Sequence, residues 1–201
     1  MAITTPPRSA EIERTTGETR VRLRLALDGS GESNASTGVG FLDHMLDLLA
    51  RHARLDLDVE ATGDLGTGSH HTTEDIGIVL GKAVLDALGD RRGIRRYGSA
   101  TLPMDEALVT AALDLSGRPF FVWRVPLPKA KLGNWDVELA EVFFEAFART
   151  AQANLHLRLI EGSNLHHIVE ISFKAFSKAL REATSIDPRS ADVPSTKGVL
   201  D

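Results

Sequence analysis

His-His-Thr-Thr-Glu at residues 70–74 recurs as His-His-Ile-Val-Glu at residues 166–170. The chain has only seven histidines, so these two pairs account for most of them. A single motif of this kind fits a surface or helix-capping pair as well as a metal site. Its repetition favours a different interpretation, in which each half of the chain supplies a metal-binding half-site.

The spacing within each motif explains how it would bind an ion. An apolar rhythm follows each motif and predicts that the motif opens a helix. Residues four apart then lie on one helical face, so His70 and Glu74 can bind one ion together. His166 and Glu170 have the same spacing. The second histidine of each pair points roughly 100° away and is better placed to serve a second ion or a neighbouring chain. Imidazole and carboxylate ligands without thiolate suit Mn, Fe, Co, Ni or Zn.

The motifs belong to a longer internal duplication. Period-two alternation predicts strands, and apolar stripes with the helical period predict helices. In the first half the predicted strands lie at about 10–15, 20–27, 33–37 and 54–62, and the helices at 41–52 and 70–88. In the second half the predicted strands lie at 97–104, 108–115, 120–125 and 155–160, and the helices at 136–153 and 166–182. Residues 126–135 are expected to form an exposed connection.

Each half therefore has the predicted order β-β-β-α-β-α, a sheet covered on one face by two helices. Such a half is too thin to be stable alone. We expect one compact α+β domain with two sheets and with the helices packed between the halves. The expected divisions are a flexible N-terminus at 1–9, the first half-repeat at 10–92, and the second half-repeat with a C-terminal tail at 93–201.

Composition excludes several classes of protein. The chain has 201 residues, of which 42% are hydrophobic and 25% charged, as in ordinary globular proteins. It has no cysteine, which rules out disulfides and thiolate metal sites and fits a reducing compartment. No signal peptide or membrane-spanning run is recognisable, so we expect a cytoplasmic protein. The net charge of −5 argues against nucleic acid or an anionic membrane as the partner.

Several single residues could add to the chemistry. His44 lies in the first predicted helix and is a plausible further ligand, while His52 lies about two turns further on. Glu18 and Asp105 fall in corresponding hairpin turns. Acids there are usually solvated turn formers, but a pseudo-twofold pair could also transfer protons. Scattered cations would form a phosphate clamp if they converged. These cations are Arg95, Arg96, Arg118, Lys174 and Lys197.

Seven segments together resemble one known family. They include Phe-Leu-Asp-His-Met at 41–45 and Pro-Ser-Thr-Lys-Gly at 194–198. The others lie at 70–75, 92–97, 103–106, 113–119 and 166–170, and His52 and Lys174 accompany them. The set strongly resembles the imidazoleglycerol-phosphate dehydratases of histidine biosynthesis, and the resemblance extends from about residue 10 to the C-terminus.

The resemblance implies a lyase that converts D-erythro-imidazole glycerol phosphate to imidazole acetol phosphate and water. It also implies two divalent ions, usually manganese, and duplicated halves of the ribosomal protein S5 domain 2 type. Its subunits would form a hollow shell of twenty-four copies, with metal sites at subunit contacts. The small-molecule phosphate and further copies of the chain are then the expected partners.

The resemblance further implies a role for individual residues. It assigns one ion to His44, His71, His166 and Glu170, and the other to His70, Glu74 and His167. It assigns the substrate phosphate to Arg96, Arg118, Lys174, Ser195 and Lys197. Glu18 would abstract the proton, and Asp105, with His52 or a metal-bound water, would protonate the departing hydroxyl. The two cations would stabilise an imidazolate-like intermediate as Lewis acids.

One departure and two alternatives accompany this interpretation. Many family members have a histidine directly before the aromatic pair of the helix that here contains Val142, and valine cannot bind a metal. Water or nearby Glu138 or Glu141 would then complete the second ion's ligands. A dinuclear phosphoester hydrolase would also use two ions and basic residues, although a histidine-rich ligand set argues against it. A non-enzymatic protein that uses metals only for assembly is the other alternative.

Overall fold

The computed structural model describes residues 8–200. The first half contains β1 (Ser9–Thr15), β2 (Thr19–Ala26), β3 (Ser33–Ser36), α1 (Gly40–Ala53), β4 (Asp56–Gly63) and α2 (His70–Leu88). The second half contains β5 (Tyr97–Met104), β6 (Ala107–Asp114), β7 (Phe120–Arg124), β8 (Lys131–Leu132), β9 (Trp135–Asp136), α3 (Leu139–Thr150), β10 (Asn154–Glu161) and α4 (Leu165–Thr184). Of the expected flexible N-terminus, residues 1–7 lie outside the described part of the chain, and Ser9 already belongs to β1.

The two main sheets have the same topology. Their strand orders are β1-β2-β4-β3 and β5-β6-β10-β7. In each sheet the first two pairings are antiparallel and the last is parallel. The registers also correspond, since Leu25 pairs with Leu57 and Leu113 pairs with Leu155. The predicted α+β fold with an internal duplication is therefore confirmed.

Strand β2 shows why these sheets form. Val21, Leu23 and Leu25 are buried, whereas Arg20 and Arg24 between them are exposed. The period of two places the apolar side chains on the face toward the helices. On the outer face, Arg20 pairs with Glu13 of β1 at 2.6 Å. The sheet thus has one face in the core and one solvated face, as its alternating sequence predicts.

The helices lie between the two sheets. Helix α2 packs on β1 and β2, and α4 packs on β5 and β6. The two helix pairs then pack on each other, α2 against α3 and α1 against α4. This confirms the predicted placement of the helices between the halves. Within residues 8–200, no helix is long and apolar enough to cross a membrane.

Phenylalanines fill the contact between α3 and α4. Phe143, Phe144, Phe173 and Phe176 are fully buried. The Phe144 ring centroid lies 4.7 Å from that of Phe173 and 5.2 Å from that of Phe176. Burial of each such side chain contributes about 1.5–3 kcal/mol. This cluster fixes the position of α4, which carries the second histidine motif at its start.

The connection at 126–135 differs from the exposed loop that the sequence predicts. Strands β8 and β9 form a two-stranded hairpin, with Gly133 at a φ of 63° in its turn, and Trp135 is fully buried. The Gly-Asn pair at 133–134 is typical of a two-residue hairpin turn and was the available signal. Because Asp136 belongs to β9, α3 begins at Leu139, later than predicted.

Helix α2 approaches α3 closely at two glycines one turn apart. A Cβ atom at Gly77 would lie 2.6 Å from the carbonyl oxygen of Phe143. At Gly81 it would lie 2.6 Å from the carbonyl oxygen of Phe147. No side chain fits at these distances, so the helix pair depends on glycine at both positions.

We expect Gly81→Ala to lower the free energy of unfolding by about 1–3 kcal/mol, because overpacking outweighs the roughly 1 kcal/mol that alanine gains in helix propensity. Gly40→Ala is the matched control, since a Cβ there meets nothing within 4 Å. Urea unfolding of both variants tests this. Equal stability of the two variants would contradict the packing argument.

Asp56 organises the turn before β3 and predicts a pH dependence. Its Oδ1 accepts backbone hydrogen bonds from Glu32 and Gly31 at 3.0 Å and from Ser30 at 2.8 Å. These bonds, with that of Glu32 first, lower the pKa of Asp56 in the folded protein. The stabilisation is therefore complete above the unfolded-state pKa and is lost as the pH falls through the folded-state pKa.

Accordingly, Asp56→Asn should be less stable than the unmodified protein at neutral pH, and the difference should shrink as the pH falls below about 4. Urea unfolding at a series of pH values measures it. A stability difference that stays constant from neutral to acid pH would show that the carboxylate charge has no part in holding the turn.

Candidate metal and substrate site

Helices α1 and α4 bring histidines and a carboxylate together where they pack. His44 of α1 and His166 and Glu170 of α4 have ligand atoms that all lie within 4.8 Å of one another. The Glu170 Oε2 atom is 2.9 Å from His166 Nε2 and 3.5 Å from His44 Nε2. Asn164 caps α4 by accepting the backbone N–H of His166 at 2.9 Å. Within residues 8–200, no other group of three or more histidines and acids is this close.

Glu170 is oriented by its neighbours. Its side chain is 8% exposed, and Lys174 Nζ donates a hydrogen bond to its Oε1 at 2.6 Å. Burial acts to raise the pKa of Glu170, but Lys174, followed by His166 and His44, outweighs burial and leaves the pKa below its ordinary value. Glu170 is therefore an ionised carboxylate at neutral pH, with one oxygen on Lys174 and the other directed at the two histidines.

Aromatic rings support the His166 side of this group. The Phe41 ring meets the His166 ring edge-on, with centroids 5.3 Å apart, and lies at the same distance from the Trp135 ring. Trp135 Nε1 donates to Thr73 Oγ1 of α2 at 3.1 Å. Trp135 of the β8–β9 hairpin thus contacts the first motif's helix directly and reaches the second motif through Phe41, an arrangement that the sequence does not predict.

His71 lies between two carboxylates of the first half. Its Nδ1 is 3.0 Å from Asp64 Oδ2, and its Nε2 is 3.7 Å from Glu18 Oε1. The hydrogen bond with Asp64 raises the pKa of His71 and lowers that of Asp64. The structure thus brings Glu18, in the β1–β2 turn, close to a predicted metal ligand.

His167 has the corresponding environment in the second half. Its Nδ1 is 2.7 Å from Glu106 Oε2, and its Nε2 is 3.6 Å from Asp105 Oδ2. The hydrogen bond between His167 and Glu106 raises the pKa of His167 and lowers the pKa of Glu106 to about 2. Asp64 and Glu106 were not among the predicted site residues. Glu106 had a weak signal as the neighbour of Asp105, and Asp64 had none beyond turn chemistry.

The other two predicted ligands lie on the exposed start of α2. The His70 ring centroid is 5.9 Å from that of His71, and Glu74 Oε1 is 3.4 Å from Arg149 Nη2. Neither joins a group of three close ligands within residues 8–200. A single chain therefore assembles only part of each expected ligand set.

His52 of α1 is half-buried on the side that faces α4. Burial lowers the pKa of His52, and the positive charges of Lys178 and Lys174 lower it further, with Glu170 acting in the opposite direction. Its imidazole is therefore neutral at neutral pH. The predicted catalytic His52 lies in the same electrostatic environment as the Glu170 and Lys174 pair.

Four of the predicted phosphate-binding residues line one cleft of about 600 Å³ beside the C-terminal segment. They are Arg96, Arg118, Ser195 and Lys197. Arg96 donates to both carboxylate oxygens of Asp114, at 2.7 and 3.1 Å, and to the Pro194 carbonyl oxygen at 2.9 Å. It therefore fastens the C-terminal segment to the second sheet. The fifth residue, Lys174, lies elsewhere, bonded to Glu170.

Known proteins have sequences similar to this one. A family model described as imidazoleglycerol-phosphate dehydratase matches residues 37–180. Proteins of that name from Pelobacter propionicus and Azorhizobium caulinodans are 58% and 57% identical to this chain. Both matches cover 96% of this chain, and they cover 99% and 98% of the two relatives. The chain belongs to the imidazoleglycerol-phosphate dehydratase family.

Solved structures of the imidazoleglycerol-phosphate dehydratase family have the same fold. The enzyme from Staphylococcus aureus subsp. aureus N315 superimposes with a TM-score of 0.81 at 41% identity, over 89% of this chain and 99% of that one. The Pyrococcus furiosus enzyme gives a TM-score of 0.78 at 37% identity, over 94% of this chain and 100% of that one. The chain is therefore an enzyme of this family.

Val142, the departure noted from the family sequence, lies in α3. Its side chain is half-buried and packs against the hydrophobic core. Glu138 and Glu141 lie beside it along the chain and line a cleft with Trp123. Burial, together with the charge of Glu145, raises the pKa of Glu141. Two carboxylates are thus available near the position that lacks a histidine.

Proposed function

We propose that this protein catalyses the dehydration of imidazole glycerol phosphate to imidazole acetol phosphate and water in histidine biosynthesis. The observation that carries the proposal is the group formed by His44, His166 and Glu170, in a chain of the imidazoleglycerol-phosphate dehydratase family. The chain has both a histidine-rich candidate metal group and a separate cleft lined by cationic residues. These two features fit a substrate that has an imidazole at one end and a phosphate at the other.

The donor set fits two divalent ions, with Mn²⁺ as the expected metal. Nitrogen and carboxylate ligands without sulfur suit this ion class, and ionised Glu170 supplies the negative charge. His44, His71, His166 and Glu170 would hold one ion, and His70, Glu74 and His167 the other. Bound ions would act as Lewis acids toward the imidazole ring, which must take up electrons when the substrate loses its proton.

We assign the proton transfers to the acids of the hairpin turns, Glu18 and Asp105. The proton that the substrate loses has no neighbouring carbonyl, so a positioned base is needed. Glu18 is the proposed base and Asp105 the proposed acid for the departing hydroxyl, with His52 as a neutral assisting group. Both carboxylates are largely exposed on hairpin turns, and each lies within 4 Å of an imidazole. The pair is therefore accessible to a ligand from outside the chain.

The cationic cleft would hold the phosphate. Arg118, Ser195 and Lys197 line it, while Arg96 contributes charge and fixes the segment that carries the last two. Arginine suits this role because its planar donors match phosphate oxygens. Binding at a distance from the reacting carbons orients the substrate chain and lowers the barrier of the chemical step. Lys174, in contrast, would act on the metal side through Glu170.

The separation of the expected ligands supports an assembly of several copies. The motif of α2 and the group on α4 do not meet within residues 8–200. Ligand sets that combine them would need ends of α2 and α4 from different copies, which supports metal sites at subunit contacts. The proposed number of copies, twenty-four, rests on the family resemblance. Neither nucleic acid nor a membrane is a proposed partner, and the cytoplasmic location remains a prediction.

The reaction products separate dehydration from the hydrolase alternative. Incubation of the Mn²⁺-loaded protein with imidazole glycerol phosphate should produce a new carbonyl and no inorganic phosphate. Release of inorganic phosphate without a carbonyl would support phosphoester hydrolysis instead. An absence of both products in a fully assembled, metal-loaded protein would support a metal that serves assembly alone.

Glu18→Gln should reduce kcat by about 10²–10⁴-fold, because the amide cannot accept the proton. Glu32→Gln is the control, since Glu32 is an exposed glutamate of the same half that no proposed step uses. Steady-state kinetics and solution mass should be measured for both variants. Full activity of Glu18→Gln would refute the assignment, provided that its assembly is unchanged.

Val142→His should increase the Mn²⁺ affinity of the second site, the one assigned to His70, Glu74 and His167, by a factor on the order of 10–100, because it adds a nitrogen ligand. Titration with Mn²⁺, followed by the electron paramagnetic resonance of the free ion, measures the affinity. Val142→Leu is the control, because it keeps an apolar side chain that cannot bind metal. If the histidine variant binds Mn²⁺ no more tightly than the leucine variant, position 142 lies away from the ion.

A further inference from the structure

The second histidine of each motif is held by one ring nitrogen. Asp64 Oδ2 and Oδ1 lie 3.0 and 3.2 Å from His71 Nδ1. Glu106 Oε2 lies 2.7 Å from His167 Nδ1. In both rings the atom held is Nδ1, and a carboxylate at this distance accepts the Nδ1 proton. The neutral imidazole then has an unprotonated Nε2 whose lone pair is available to a metal.

Each carboxylate is itself fixed. Thr67 Oγ1 donates to Asp64 Oδ2 at 3.0 Å. Glu106 Oε1 accepts the backbone N–H groups of Asn164 at 2.7 Å and Ser163 at 3.2 Å, while its other oxygen binds the histidine. These bonds leave each acid little freedom to turn away. They also tie Glu106 of the β5–β6 turn to the start of α4, which carries the histidine pair.

The two contacts come from different places in the duplicated halves. Asp64 directly follows β4, but the residue that directly follows β10 is Gly162, which has no side chain. Glu106 instead lies in the β5–β6 turn. The corresponding turn of the first half, between β1 and β2, carries Glu18, which lies near Nε2 of His71 and not near its Nδ1. The duplication alone therefore does not account for the repeated contact. The same carboxylate-to-Nδ1 arrangement reached by two routes indicates a requirement of the site.

We propose that Asp64 and Glu106 are positioning residues that fix His71 and His167 in the Nδ1–H tautomer and present Nε2 as the ligand atom. The other ring nitrogens fit this arrangement. His71 Nε2 faces the hairpin acid Glu18 at 3.7 Å, and His167 Nε2 faces the hairpin acid Asp105 at 3.6 Å. Each ion would then lie near the acid proposed to transfer a proton. This inference rests on the proposed metal-dependent function.

The tautomers can be measured without metal. Two-bond ¹H–¹⁵N correlation spectra of the metal-free protein, recorded above the raised pKa values of both histidines, distinguish protonated from unprotonated ring nitrogens. Both histidines should have a protonated Nδ1. Asp64→Ala should shift His71 toward the Nε2–H form and leave His167 unchanged, and Glu106→Ala should do the opposite. Each variant is thus the matched control for the other.

Titration with Mn²⁺ tests the consequence for the site. Each alanine variant should bind Mn²⁺ about 10–100-fold more weakly, while Asp64→Asn and Glu106→Gln, which keep an oxygen acceptor for Nδ1–H, should lose less. Thermal unfolding checks that the variants remain folded.

The outcomes separate the two proposals. Unchanged tautomers, or unchanged Mn²⁺ affinity in both alanine variants of a protein that does bind Mn²⁺, would overturn the positioning role alone. Failure of the unmodified protein to bind Mn²⁺, with both Nδ1–H tautomers present, would overturn the proposed metal centre on which that role depends.

Discussion

The site depends on one carboxylate shared between two helices. Glu170 directs one oxygen at His166 of its own helix and at His44 of α1, and the other at Lys174. A carboxylate this deeply buried is stable only when its charge is compensated. Lys174 on the same helix supplies most of that compensation, and His166 and His44 of the candidate metal group add to it where α1 packs on α4. Fold stability and ligand geometry are therefore coupled at this position.

The duplication gives the protein two related but unequal half-sites. Both halves place a histidine pair at the start of a helix and an acid on the neighbouring hairpin turn. His44 of the first half joins His166 and Glu170 of the second in a three-residue group, whereas His70 is exposed and half-buried Glu74 contacts Arg149. Ligands that are not yet grouped at the start of α2 and a preassembled group on α4 are suited to joining across copies. This difference between the two half-sites supports the proposed assembly, in which each end would complete the other.

Much of the fold could be predicted from periodicity. The alternation of β2 and the long stripes of α2 and α4 each follow from the burial of one face, so their predicted positions agree with the structure to within a few residues. The hairpin around Trp135 was missed because its strands are too short to show a period. Its burial depends on Phe41 and Thr73, which are distant in sequence. The pattern of residues within one segment does not indicate contacts with residues so far away in the sequence.

The candidate site was less predictable for the same reason. The spacing of His166 and Glu170 is local and could be interpreted from helical geometry alone. The contact of Asp64 with His71 depends on how the chain leaves β4, and the pairing of Arg96 with Asp114 depends on the β5–β6 register. Whether the two motifs meet in one chain or between copies is a property of the assembly, which no spacing within a single sequence specifies.

The most direct test of the account is anomalous X-ray scattering from crystals of the assembled protein saturated with Mn²⁺. We expect one peak on the group formed by His44, His166 and Glu170 and a second beside His167. Residues from the start of a neighbouring copy's α2 should complete both sites. The absence of any peak on the His44, His166 and Glu170 group at saturating Mn²⁺ would contradict the account.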